Sequence, residues 1–156
     1  MAEMPGVGAK APDFRLERDG GGKAGLADFR GRKLVLYFYP KDDTAGCTQE
    51  AKDFSALAKA FDKAGALVVG VSPDSAKKHD RFKAKHGLDV ALLSDESTAM
   101  LAAYGVWQEK SMYGRKYMGV ARTTFLIDAK GIVRAVWPKV KVAGHAQAVL
   151  DAVNAL

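Results

Sequence analysis

The chain has a single cysteine, Cys47, and its neighbours decide what that thiol can do. It follows Tyr39-Pro40-Lys41-Asp42-Asp43-Thr44-Ala45-Gly46 and precedes Thr48-Gln49-Glu50. A β-rich apolar run ends, a polar loop follows, and Cys47 falls in the first turn of the next helix. Backbone N–H groups of a first turn lack intrahelical partners, and the helix dipole favours an anion there. A cysteine so placed is expected to ionise readily, because thiolates in such settings have pKa values of roughly 3.5–7.5 against about 8.5 for a free thiol. The thiolate is the nucleophile, so Cys47 is a candidate for reaction near neutral pH. A buried structural cysteine is the competing reading, and helix position alone does not separate the two. Three neighbours favour reactivity. Thr44 can offer a hydroxyl within reach of sulfur, Pro40 can stiffen and shield the loop, and Gly46 lets backbone approach closely.

Other chemistries fit less well. A cysteine hydrolase needs a base beside the thiol. The candidates are His79, His86 and His145, and the first two fall on a polar helix where solvent exposure is expected. There is no H-E-x-x-H, no paired histidine at ligand spacing and no second cysteine, so no metal site is expected. The C-x-x-C of a dithiol carrier is absent, and one cysteine cannot form a disulfide within the chain.

The elements that must position Cys47 can be read from periodicity. Leu34-Val35-Leu36-Tyr37-Phe38-Tyr39 predicts a strand buried on both faces. Phe54, Leu57, Ala58 and Phe61 form one face of a helix over about 46–63, stopped by Gly65. Ala66-Leu67-Val68-Val69-Gly70-Val71 predicts a second strand. Ser72-Pro73-Asp74-Ser75 then caps a polar helix over about 76–86, ended by Gly87. Leu92-Leu93 reads as a short strand and 97–104 as a short helix. Two strands flank Asp128-Ala129-Lys130-Gly131, a hairpin signal. Val149, Ala152, Val153 and Leu156 predict a terminal helix packed on the sheet. Gly20-Gly21-Gly22 is a loop tip between short strands. The order predicts an α/β fold with a central mixed sheet between helices, the thioredoxin-like arrangement.

With 156 residues, 48% hydrophobic and 27% charged, the chain has the composition of one globular domain, taken here as residues 1–156. Collagen-like, disordered and disulfide-scaffold classes are excluded, and no apolar run approaches the roughly 20 residues of a membrane span. The start, Met1-Ala2-Glu3-Met4-Pro5-Gly6, lacks the pattern of a secretory signal, so a cytoplasmic location is expected; a free thiol suits that reducing compartment. The net charge of +6 is spread over small clusters at Lys77-Lys78, Lys83/Lys85 and Lys139/Lys141. These read as solvated faces rather than a nucleic-acid surface.

Pro40-x-x-x-Thr44-x-x-Cys47 matches the peroxiredoxin active-site pattern, and its surroundings resemble the bacterioferritin comigratory protein (PrxQ) branch. Gly8-x-x-Ala11-Pro12-Asp13-Phe14-x-Leu16 looks like that family's opening strand. Leu26-x-Asp28-Phe29-x-Gly31 leads toward the loop as it does there. Gly105-Val106-Trp107-x-Glu109-Lys110-x-Met112-Tyr113-Gly114 and Gly119-Val120-x-Arg122-Thr123-Thr124-Phe125 match two further blocks. The resemblance spans nearly the whole chain. It implies a thiol peroxidase without cofactor or metal. Cys47 would attack the O–O bond of hydrogen peroxide or an organic hydroperoxide and become a sulfenic acid. Arg122 would stabilise the thiolate and hold a peroxide oxygen, Thr44 would hydrogen-bond the substrate, and Pro40 would shield the thiolate from water. Glu50 could orient Arg122, or simply favour the helix start as an acid. Tyr39, Trp107 and Tyr113 are candidates for the substrate mouth, with ordinary packing as the alternative.

Two departures stand out. Ala45 replaces a proline common before the loop glycine. The positions where many PrxQ-type proteins carry a resolving cysteine hold Lys52 and Arg81-Phe82-Lys83-Ala84-Lys85. The resemblance therefore implies a one-Cys enzyme. An outside thiol (thioredoxin, glutaredoxin or glutathione) must reduce its sulfenic acid, which can otherwise climb to sulfinic or sulfonic states. A monomer is expected, with a dimer as the alternative. A redox sensor or chaperone-like protein on the same fold is the non-enzymatic alternative.

Overall fold

The apolar run before Pro40 is covered on both sides: every residue from Leu34 to Tyr39 is at most 1% exposed. In the computed structural model, which describes residues 3–156, this run forms β3 (Lys33–Phe38). Met1 and Ala2, part of the N-terminal stretch read above for a signal, lie outside the described residues. Side chains alternate across a strand, and β3 feeds two cores accordingly. Leu34, Leu36 and Phe38 join Phe14, Leu101, Tyr104 and Phe125 on one face. Val35 and Tyr37, with Tyr39 just beyond, join Cys47, Phe54, Phe61 and Val149 on the other.

Around β3 the elements follow in chain order. They are β1 (Arg15–Arg18), β2 (Lys23–Gly25), α1 (Ala45–Ala56), α2 (Ala58–Lys63), β4 (Ala66–Ser72), α3 (Ala76–His86), β5 (Ala91–Ser94) and α4 (Ala99–Ala103). Then come β6 (Trp107–Met112), β7 (Arg115–Val120), β8 (Thr123–Ile127), β9 (Val133–Trp137) and α5 (His145–Asn154). Seven strands make one sheet in the order β2-β1-β5-β4-β3-β8-β9. β3 runs parallel to β4 and antiparallel to β8, and β4 runs parallel to β5. This is the mixed, helix-flanked, thioredoxin-like sheet that the element order predicts. Helix α3 has the expected ends: Ser75 Oγ accepts from the Lys78 N–H at 3.2 Å, and Gly87 takes the left-handed conformation (φ 62°) that stops it.

Two expectations need correction, and one hairpin adds to the predicted elements. The helix over 46–63 is two helices, because the chain breaks at Leu57 (φ −99°, ψ 7°) before the ladder restarts with Phe61 N–H donating to the Leu57 carbonyl at 2.9 Å. The separate hairpin β6–β7 is the added element. It is mostly solvent-exposed and so lacks the apolar alternation that announces a half-buried strand. His79 is 0% exposed, not solvated, because it faces inward from α3 onto buried oxygen atoms. Among the described residues no helix is long and apolar enough to cross a membrane.

Candidate active site

Cys47 is the third residue of α1, after the N-cap Thr44. The first backbone bond of this helix runs from Thr48 N–H to the Thr44 carbonyl at 2.8 Å. The N–H groups of Ala45, Gly46 and Cys47 therefore have no place in the helical ladder and form a donor-rich mouth. Thr44, Ala45 and Gly46 are exposed, whereas Cys47 is 1% exposed beneath them.

Arg122 reaches this mouth from the short link between β7 and β8. Its main chain is pinned on both sides. Ala121 N–H donates to the Val106 carbonyl at 2.8 Å, and Val140 N–H donates to the Arg122 carbonyl at 2.9 Å. The guanidinium then divides its two ends. Nη2 donates to Cys47 Sγ at 3.2 Å, and Nη1 donates to Glu50 Oε1 at 2.6 Å. Cys47 and Glu50 stand three residues apart on one helix, which brings them to the same face. One arginine therefore bridges a sulfur and a carboxylate.

Burial and the Arg122 charge set the electrostatics of the site. Burial, partly countered by Arg122, lifts the Glu50 carboxyl from its ordinary 4.5 to about 7. Burial opposes the Arg122 charge, but Glu50 and Cys47 outweigh it and hold the guanidinium above its usual range. Burial and the Arg122 charge together push His145 down to about 4, so it is neutral; its Nε2 lies 2.8 Å from Thr124 Oγ1. Among the described residues, Glu50 Oε2 and the Tyr37 hydroxyl are the buried side-chain polar atoms with no partner. Burial and then the Glu50 charge hold the Tyr37 hydroxyl well above its ordinary value.

The other residues singled out in the sequence divide. Thr44 Oγ1 donates to the Lys41 carbonyl at 2.9 Å, which commits its proton and leaves its lone pairs free to accept. Gly46 lies directly under the guanidinium: a β-carbon there would stand 3.3 Å from Nη2. Pro40 is half-buried at the end of β3. Two mouth candidates are misplaced. Tyr39 is buried and donates to Asp42 Oδ1 at 2.6 Å, facing away from solvent into a polar network. Tyr113 is 98% exposed at the turn of the β6–β7 hairpin and is not packed into a cleft. Trp107 is half-buried and packs against the apolar core opposite Cys47. Lys110 was not singled out. It is half-buried, its stem crosses Gly119, and burial followed by the Arg122 charge lowers its ammonium from the usual lysine value while Cys47 opposes the shift. Its exposed, polar hairpin offered no periodic signal.

Sheet, helix mouth and arginine-bound thiol define a class of protein: the thiol peroxidases, which reduce peroxides with a cysteine. The comparisons with known proteins agree. The model of the AhpC/TSA family matches residues 7–136, and the chain belongs to that family. A Xanthomonas campestris protein named peroxiredoxin Bcp is 51% identical over 155 residues, 99% of this chain and 95% of its own. The solved Xanthomonas campestris bacterioferritin comigratory protein, described for its alkyl peroxide reduction activity, superposes with a TM-score of 0.87 at 50% identity, covering 91% of this chain and 90% of that one. A Xylella fastidiosa PrxQ with Cys47 replaced by serine gives a TM-score of 0.93 at 37% identity, over 99% and 98% of the two chains. The chain is a peroxiredoxin of the bacterioferritin comigratory type, and its one cysteine makes it a one-Cys variant.

Proposed function

We propose that Cys47 is the peroxidatic residue and that the residues around it divide the work of peroxide cleavage. The thiolate attacks the distal oxygen of the hydroperoxide. An S–O bond forms, the O–O bond breaks, and the leaving oxygen takes a proton to depart as water or an alcohol. Negative charge moves from sulfur to the leaving oxygen, so fixed donors aimed along that path favour the transition state. Arg122 serves the sulfur end and a peroxide oxygen. Thr44, with its own O–H donating to the Lys41 carbonyl, accepts a hydrogen bond from the hydroperoxide O–H and so aligns the substrate. Pro40 keeps water from the thiolate, and Glu50 holds the guanidinium in place. The observation that carries this reading is the 3.2 Å contact from Arg122 Nη2 to Cys47 Sγ.

Two equivalents of an outside thiol complete the cycle. The first displaces water from the sulfenic acid to give a mixed disulfide. The second releases Cys47 and leaves as the reductant's disulfide. Thioredoxin, glutaredoxin or glutathione would supply them in the cytoplasm, where a free thiol is at home. Because Cys47 is 1% exposed, a bulky reductant requires the first turn of α1 to open. Organic hydroperoxides are included among the substrates on the strength of the Xanthomonas relative's alkyl peroxide activity.

The test is kinetic. Reduced protein mixed with stoichiometric hydrogen peroxide should lose its thiol far faster than free cysteine does. A rate no faster than free cysteine would remove the reading.

A further inference from the structure

His79 is fully buried among oxygen atoms. Its Nδ1 lies 2.6 Å from Asp42 Oδ2, and its Nε2 lies 2.8 Å from the Leu93 carbonyl. The Tyr39 hydroxyl is 3.5 Å from Nδ1, but its proton goes to Asp42 Oδ1 at 2.6 Å. A carbonyl and an ionised carboxylate accept hydrogen bonds and donate none. A neutral imidazole has one N–H and satisfies one of these two partners. The imidazolium satisfies both.

What His79 grips is the loop before Cys47. Asp42 is held at both carboxylate oxygens, and its backbone N–H donates to Asp74 Oδ2 at 2.8 Å. Its neighbour Asp43 adopts φ 61° and is tied on the outside by Lys85 at 2.6 Å and His86 at 2.7 Å. Three side chains of α3 thus fasten two consecutive loop aspartates. The Thr44 hydroxyl closes the same loop by donating to the Lys41 carbonyl.

We propose that His79 is a positioning residue for peroxide reduction: as a buried imidazolium it holds Asp42, and through Asp42 the loop that presents Pro40 and Thr44 to the peroxide. This rests on the reading of Cys47 as the peroxidatic residue. His79 touches neither substrate nor sulfur and acts through the loop.

The groups facing His79 come from four elements. Tyr39 follows β3, Asp42 lies in the loop, Asp74 precedes α3, and the Leu93 carbonyl belongs to β5. On its own helix, Lys78 lies 3.6 Å from Asp74 Oδ1. Burial works against the charge on His79. The Asp42 hydrogen bond and charge, then the Leu93 carbonyl and Asp74, outweigh it and raise the ring above the ordinary 6.5. The charge on His79 is therefore complete below the ordinary 6.5, and the clamp loosens as pH rises through the raised value.

Two measurements test the proposal. Nitrogen NMR of the wild-type chain with ¹⁵N-labelled histidine should show both ring nitrogens of His79 protonated at pH 7. One protonated and one bare nitrogen would overturn it. The second measurement compares Cys47 oxidation by hydrogen peroxide with its alkylation by iodoacetamide, which needs the thiolate but not the loop. In His79→Phe the peroxide rate should fall by at least about tenfold while alkylation changes less than about threefold, the order expected for lost positioning. Equal changes in both, or none, would overturn the positioning role. Should that variant not fold, the same ratio is followed in wild-type protein as pH rises through the NMR titration of His79. A ratio that stays constant while His79 loses its proton overturns it as well. A wild-type chain slow toward peroxide at every pH sinks the Cys47 reading and leaves the NMR result standing.

Discussion

A β-carbon at Gly46 would lie 3.3 Å from Nη2 of Arg122, closer than packed atoms ordinarily sit. The glycine leaves room for the guanidinium to reach the sulfur across the helix mouth. Gly46→Ala should push Arg122 aside by a few tenths of an ångström and slow peroxide oxidation of Cys47 several-fold. Stability should hold or rise, since alanine is favoured over glycine within a helix by roughly 0.5–1 kcal/mol. Stopped-flow oxidation and a thermal melt check both. An unchanged rate with a lowered melting temperature would contradict the steric account.

Removing the guanidinium should cost far more. Arg122→Met keeps the stem and deletes the charge. Loss of one preorganised donor costs on the order of 10²–10³ in rate in other enzymes, and a fall of that size is expected in peroxide oxidation. The same change leaves Glu50 buried with its Arg122 partner gone. Adding Glu50→Gln should then restore stability at pH 8 without restoring the rate. Recovery of both would mean that Arg122 acts only as a structural counter-ion.

Glu50 also makes a prediction in pH. Its folded value of about 7 is above the ordinary 4.5, so folding favours the protonated acid. Its contribution is complete below 4.5 and is lost as pH rises to about 7. A shift of that size corresponds to about 3 kcal/mol. Glu50→Gln does not titrate, so its stability relative to wild type should climb by up to that amount across the window. Urea denaturation of both proteins at pH 4.5, 6 and 8 measures the difference, and parallel pH curves would rule out the buried-acid explanation.

Thr44 should act as an acceptor. Thr44→Ser retains the hydroxyl and should keep most of the peroxide rate. Thr44→Val loses both the bond to Lys41 and the acceptor and should slow peroxide oxidation by about tenfold, the order of one lost hydrogen bond. Similar rates for serine and valine would remove the substrate contact.

With Cys47 alone in the chain, peroxide treatment without reductant should yield sulfenic, then sulfinic and sulfonic forms by mass spectrometry. Adding one equivalent of glutathione before the peroxide should divert the product to a mixed disulfide, and an excess should return the free thiol. A covalent dimer as the main product would instead point to a second copy as the resolving thiol.

Much of this protein is determined by local order. The apolar run 34–39, rich in β-formers and stopped by Pro40, reads locally as a two-sided strand, and the helix beginning near residue 46 sets Cys47 among free N–H groups. Those are effects of neighbours in sequence. The identity of Arg122 as a site residue came from motif resemblance, because nothing within a few residues of it reports a cysteine 75 positions away. The resemblance allowed Glu50 either to orient Arg122 or merely to favour the helix start, and tertiary structure decided for the shared guanidinium. Tertiary structure also buried Tyr39 and His79 in one polar network and turned a helix that looked solvated into an anchor for the loop. Hydrophobic periodicity reports which face of an element is apolar. It does not report which buried polar groups will meet, since a polar residue enters a core only when the fold brings it a partner.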